Sequence, residues 1–115
     1  MLCTGKKAKL KRNLTMVTNN IISLKFSRWE WFEKQEIRTY QLKGKYVFFS
    51  TDRDQLVSIV LDELNNNNFH CGKIPLEGMN DGDYALCLYY ENHYRNKELT
   101  KKYEGIENLR YIGWK

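Results

Sequence analysis

The sequence predicts a two-layer α+β domain, a mostly antiparallel sheet with two helices on one face. Three observations lead there. Short β-prone runs recur from Ile21 to Trp114, one amphipathic helical stretch separates two of them, and a second, thinner one precedes the last. From Lys45 onward the order is strand, helix, strand, strand, helix, strand, with one to three further strands before it. A chain patterned this way buries the apolar stripes of its helices against one side of a sheet.

Ile22, Leu24 and Phe26 alternate with Ser23 and Lys25, the period-two signature of a half-buried strand. Trp29 and Trp31 continue the alternation on the opposite parity, which requires a bulge or turn near Ser27 and Arg28. Ile37 to Leu42 and Lys45 to Ser50 are β-prone runs spaced as a hairpin around Lys43-Gly44. Tyr46, Val47, Phe48 and Phe49 are apolar on both faces, as in a central strand.

The helical stretch runs from Asp52 to about Asn66. Leu56, Val57, Val60, Leu61 and Leu64 fall within an arc of roughly 140°. Thr51 is placed to cap it with Asp54 as the acidic partner, and the asparagines from Asn65 to Asn68 end it. Phe69 to Ile74 and Tyr84 to Glu91 then read as a hairpin around the polar, glycine-containing turn Glu77 to Asp83. His93 to Tyr103 permits a second helix, with Asn92 as its cap and Leu99 and Tyr103 as its apolar face; Gly105 stops it, and Leu109 to Trp114 is the last strand. A ferredoxin-like split is one wiring that fits this order.

With 115 residues, 42% of them hydrophobic and 14% aromatic, the chain supports one packed core. The expected division is a basic flexible tail over residues 1–15 and a single domain over 16–115. No apolar stretch approaches the roughly 20 residues that span a bilayer, and Asn13, Thr15, Thr18, Asn19 and Asn20 interrupt any secretory core after the basic start. Cys3, Cys71 and Cys87 are an odd set without C-x-x-C spacing. They read as free thiols in an intracellular compartment, cytoplasmic or, in a eukaryote, nuclear, and they argue against a zinc site.

The net charge of +5 is not spread evenly. Residues 1–29 hold seven Lys or Arg and no acid, whereas residues 30–115 hold 12 basic and 14 acidic side chains, a balance of −2. Lys6, Lys7, Lys9, Lys11 and Arg12 concentrate the basicity in the tail, where they can bind phosphate backbones, dock on anionic surfaces or serve as an import signal. The plain alternative is a solvated leader.

Trp29 and Trp31 are the other binding candidates, since Trp-Glu-Trp in a strand sets two indoles on one face and the acid on the other, ready for a base or a cationic ligand. Lys43 to Phe49 resembles the aromatic motif of RNA-recognition domains, with its aromatic register off by one and a strand before it where those domains have a helix. Cys71 and Cys87 flank a hairpin whose midpoint is residue 79, so a symmetric register sets them opposite one another as core filler; His70 points to the other face. Asp81-Gly82-Asp83 reads as turn chemistry rather than a calcium loop. No phosphate loop, nucleophile elbow or Ser-His-Asp arrangement occurs, so neither catalysis nor a metal or cofactor is expected.

The succession of Gly44 to Phe49, a helix, Cys71 to Ile74, Ala85 to Tyr90, a second helix and Leu109 to Lys115 is similar in order and spacing to a family named for a phosphothreonine lyase domain. That family is associated with the fold of the cap-binding translation initiation factor 4E. The resemblance rests on strand patterns and implies a two-layer sheet with helices on one side. It carries over no catalytic residue, and in that family the chain continues past the last strand. The functional expectation is a small intracellular, non-catalytic binding module for a nucleotide, RNA or protein partner, with no membrane role. The alternative is a small inhibitor or accessory protein of a mobile element or virus that masks a partner's surface.

Overall fold

A computed structural model of the chain describes residues 14–18, 20–34, 43–66, 69–79, 82–90 and 93–115. Among these residues seven strands, β1 (Leu14–Met16), β2 (Ile21–Phe26), β3 (Trp29–Lys34), β4 (Gly44–Ser50), β5 (Cys71–Pro75), β6 (Tyr84–Tyr90) and β7 (Leu109–Trp114), join in one sheet. Their order is β1-β2-β3-β5-β6-β4-β7, and every neighbouring pair is antiparallel. Among the described residues two helices, α1 (Arg53–Asn66) and α2 (Asn96–Tyr103), join the sheet in an α+β architecture. From β4 onward the strands stand in the order β5-β6-β4-β7, the split wiring named above, and β3, β2 and β1 extend it beyond β5.

Parity assigns each side chain to a face, because alternate residues of a strand point to opposite sides. Ser23, Phe32, Gly72, Leu88, Tyr46 and Trp114 form one cross-strand row on the helix side. Leu56, Val60 and Leu64 of α1, all fully buried, join Phe32, Tyr46, Phe48, Leu86 and Leu88 in the main core. Leu99 and Tyr103 of α2 enter the same core, Tyr103 edge-on to Phe48. The arc expected of the first helix is therefore the one that packs. Its start differs: Asp52, not Thr51, caps α1, its Oδ1 accepting from the Asp54 N–H at 3.0 Å.

The parity slip after Phe26 is a two-residue turn, Ser27–Arg28, with Ser27 at φ 59 and Phe26 facing Trp29 across it. Leu14 and Thr15, expected in the tail, pair with Leu24 and Ser23. β4 is flanked by β6 and β7; residues 37–42, expected to pair with it as a hairpin, lie outside the described residues, as does Asn92. The β5–β6 register is two residues from the symmetric one. Lys73 faces Cys87 and Cys71 faces Tyr89, so the cysteines share a face without opposing each other. Cys71 is disulfide-bonded while Cys87 is a buried free thiol, which corrects the expectation of three free thiols and removes the cysteine argument for a reducing compartment. Among the described residues no helix is long and apolar enough to cross a membrane.

Candidate functional site

Both described helices lie on one side of the sheet, and on the opposite face Leu24, Trp31 and Cys71 form a second, smaller buried cluster with Trp29 and Tyr89 packed against it. The middle row of that face runs Leu24, Trp31, Lys73, Cys87, Val47 and Gly113. Flanking rows set Phe26 beside Trp29 and Pro75, Phe49 beside Ala85 and Arg110, and Tyr89 between Cys71 and Lys45. The strand parity that drives Phe32, Tyr46 and Phe48 into the core thus gathers Trp29, Tyr89, Phe49, Lys73, Lys45 and Arg110 on the other side.

Trp29 and Trp31 do share this face, as expected, and they already hold a cation. The Lys73 ammonium sits 4.1 Å from the Trp29 ring centre, 5.0 Å from Trp31 and 5.8 Å from Tyr89. Trp31 is buried and stacks on Tyr89, with ring centres 5.8 Å apart and planes 20° from parallel. Trp29 is half-buried and is the indole of the pair that reaches the surface. At the other end of the face the Arg110 guanidinium lies 5.4 Å from the Phe49 ring and pairs with Asp83.

Trp29 also lines an open cleft of about 580 Å³ between the Ser27–Arg28 turn and residues 75–79, with Leu76 and Met79 on its far wall. Two contacts hold its walls together. The Leu76 N–H donates to the Arg28 carbonyl at 2.8 Å, and Arg53 Nε donates to the Pro75 carbonyl at 2.9 Å. Arg53 is fixed in turn by Glu30, which accepts from its Nη2 at 2.7 Å and from Ser23 Oγ at 2.8 Å. The acid between the two tryptophans is thus a strut on the helix side that anchors the start of α1 to β3 and β5.

Burial raises the Cys87 thiol above its usual range despite Lys73 and Lys45 nearby, and burial, reinforced by Cys87, pushes Tyr89 up to about 12. The histidines stand elsewhere: His70 stacks on Tyr90, and His93 is exposed beside Tyr94. Among the described residues no group of three His, Cys, Asp or Glu is placed to hold a metal ion. The buried carboxylate of Glu63 accepts from Tyr103 Oη and from Lys102 Nζ, and so ties α1 to α2.

The structure brings Trp29 and Trp31 together, whereas Lys6, Lys7, Lys9, Lys11 and Arg12 lie outside the described residues. The sequence reading missed Lys45, Phe49, Lys73, Tyr89 and Arg110 as one surface. Their parity within each strand was readable, but the order β5-β6-β4-β7 that places them side by side was not. The chain matches no known protein family, no curated protein and no solved structure.

Proposed function

We propose that this protein is a non-catalytic module that binds single-stranded nucleic acid on the face of its sheet opposite α1 and α2. The observation that carries the reading is the interleaving on that face of Lys45, Lys73 and Arg110 with the rings of Trp29, Tyr89 and Phe49. Cations spaced among aromatic rings suit a single strand, whose phosphates seek the charges and whose unpaired bases offer π faces. The partly buried carboxylate of Asp83 is already engaged by the exposed Arg110. Over residues 30–115 the charge balance is −2, so cations gathered on one face are a local feature and not the consequence of a basic domain. Lys6, Lys7, Lys9, Lys11 and Arg12 add phosphate contacts in this reading.

Titration of labelled single-stranded and duplex oligonucleotides with the full chain tests it. Single strands bind more tightly, because a duplex hides the base faces that the rings would stack on. Equal affinity for both forms would reduce the interaction to non-specific charge and overturn the reading.

A further inference from the structure

From the cleft beside Trp29, we infer a separate nucleotide subsite that takes one uncharged base bearing a single phosphate group. The inference rests on the nucleic-acid reading above and adds a site that the sheet face alone does not supply.

Three features define the ligand. Arg28 and Glu77 line the cleft with exposed side chains, and neither makes an ion pair or side-chain hydrogen bond among the described residues. A cation and an anion so placed favour a ligand with one anionic group at one end: Arg28 forks onto a phosphate, and Glu77 repels a longer phosphate chain. The third feature is the indole. Lys73 sits over the Trp29 ring but is not among the residues that line the cleft, so the ring meets a ligand while already polarised by an ammonium. A ring whose electron density is drawn toward one cation gains less from a second, so a neutral base is favoured there over a permanently cationic one. The apolar surfaces of Pro75, Leu76 and Met79 complete a slot for a flat ring, and the main-chain and Arg53 contacts described above form it in advance.

The ligand comes either as a free nucleoside monophosphate or as the phosphorylated end of a bound strand. Nuclear magnetic resonance of the full chain, read at the Trp29 indole N–H and the Met79 methyl, separates the two. Adenosine monophosphate moving both signals saturably supports a free-nucleotide site. Movement only with a 5′-phosphorylated oligonucleotide, and not with its unphosphorylated form, supports a strand-end site. In either case Arg28→Glu, a change at an exposed side chain, weakens binding about tenfold or more, as expected for loss of a charge-assisted hydrogen bond. Glu77→Gln narrows the preference for monophosphate over triphosphate, and Lys73→Met narrows the preference for adenosine over cationic N1-methyladenosine monophosphate. The inference is overturned if no nucleotide moves Met79 and Trp29, or if the wild type prefers the cationic base or the triphosphate. Oligonucleotides that shift Lys45 and Phe49 while neither they, 5′-phosphorylated or not, nor adenosine monophosphate move Met79 would sink the subsite alone. Mononucleotides that shift Met79 while no oligonucleotide touches the sheet would sink the strand-binding reading alone.

Discussion

The Val60 Cγ2 methyl stands where a side chain at Gly72 would begin: a Cβ built on Gly72 would approach it to 2.5 Å. Helix α1 is seated on the sheet at this contact, with Val60 fully buried over the β5 backbone. Gly72 has no positive φ, so space and not backbone freedom excludes a larger residue. Gly72→Ala should cost about 1–3 kcal/mol through overpacking. Adding Val60→Ala, which alone opens a cavity, should recover part of that loss. Urea unfolding of the two single variants and the double variant measures the coupling, and purely additive losses would show that the two residues do not compete for the same space.

Arg53 couples the start of α1 to both walls of the cleft, through Glu30 and the Pro75 carbonyl. Arg53→Met keeps most of the apolar stem and leaves the partly buried Glu30 without its cation. The expected loss is about 1–3 kcal/mol, more than an exposed pair would give. Chemical denaturation gives the magnitude, and adding Glu30→Gln to Arg53→Met should return part of it, since the stranded charge is then gone.

Tyr89, Tyr103 and Tyr111 are all raised above their ordinary value of 10.0, burial being the largest cause in each, with the hydrogen bond to Glu63 next for Tyr103. A phenol whose folded-state value is raised keeps its proton in the folded chain while the unfolded chain gives it up. The associated stability is complete below about pH 10 and is lost as pH rises through about 12, the value for Tyr89. Melting temperature should therefore fall across that window, with phenolate absorbance appearing together with unfolding. Early, non-cooperative ionisation of all eight tyrosines would contradict this packing.

Much of the fold was legible because periodicity reports burial. The stripe of Leu56, Val60 and Leu64 named the packing face of α1, and the doubly apolar runs at Tyr46–Phe49 and Tyr84–Tyr90 named two of the strands that prove internal. What stayed hidden depends on pairing partners. The partners of β4 come from residues 84–90 and 109–114, and no local spacing encodes that choice. The β5–β6 register turned on a loop centred one residue beyond the symmetric guess, which moved each cross-strand partner by two. For the same reason Trp29 and Trp31 were legible as a pair, while the Lys73 ammonium against them was not, since it arrives from a strand 42 residues after Trp31 in the chain.

Under the proposed function the tail and the face should make separable contributions to nucleic-acid affinity. Replacing Lys6, Lys7, Lys9, Lys11 and Arg12 with Gln should make the log–log dependence of affinity on salt shallower by about 3.5 to 4.5 if all five meet phosphates, at roughly 0.7 to 0.9 per contact. The preference for single strands should remain, because it comes from the rings. Binding isotherms at a series of salt concentrations provide the check, and an unchanged slope would remove the tail from the interface.

The most direct test of the account is a map of chemical-shift changes across the full chain on titration with a short single-stranded oligonucleotide. The account predicts that the changes concentrate at Lys45, Phe49, Lys73, Tyr89 and Arg110 and spare the solvent side of α1 and α2. Lys45→Glu and Phe49→Ala should each weaken binding, by about 1–3 kcal/mol for the lost ring, with the melting transition retained. Changes centred on α1 and α2, or affinity unaltered in both variants, would contradict the claim that the face opposite these helices is the binding surface.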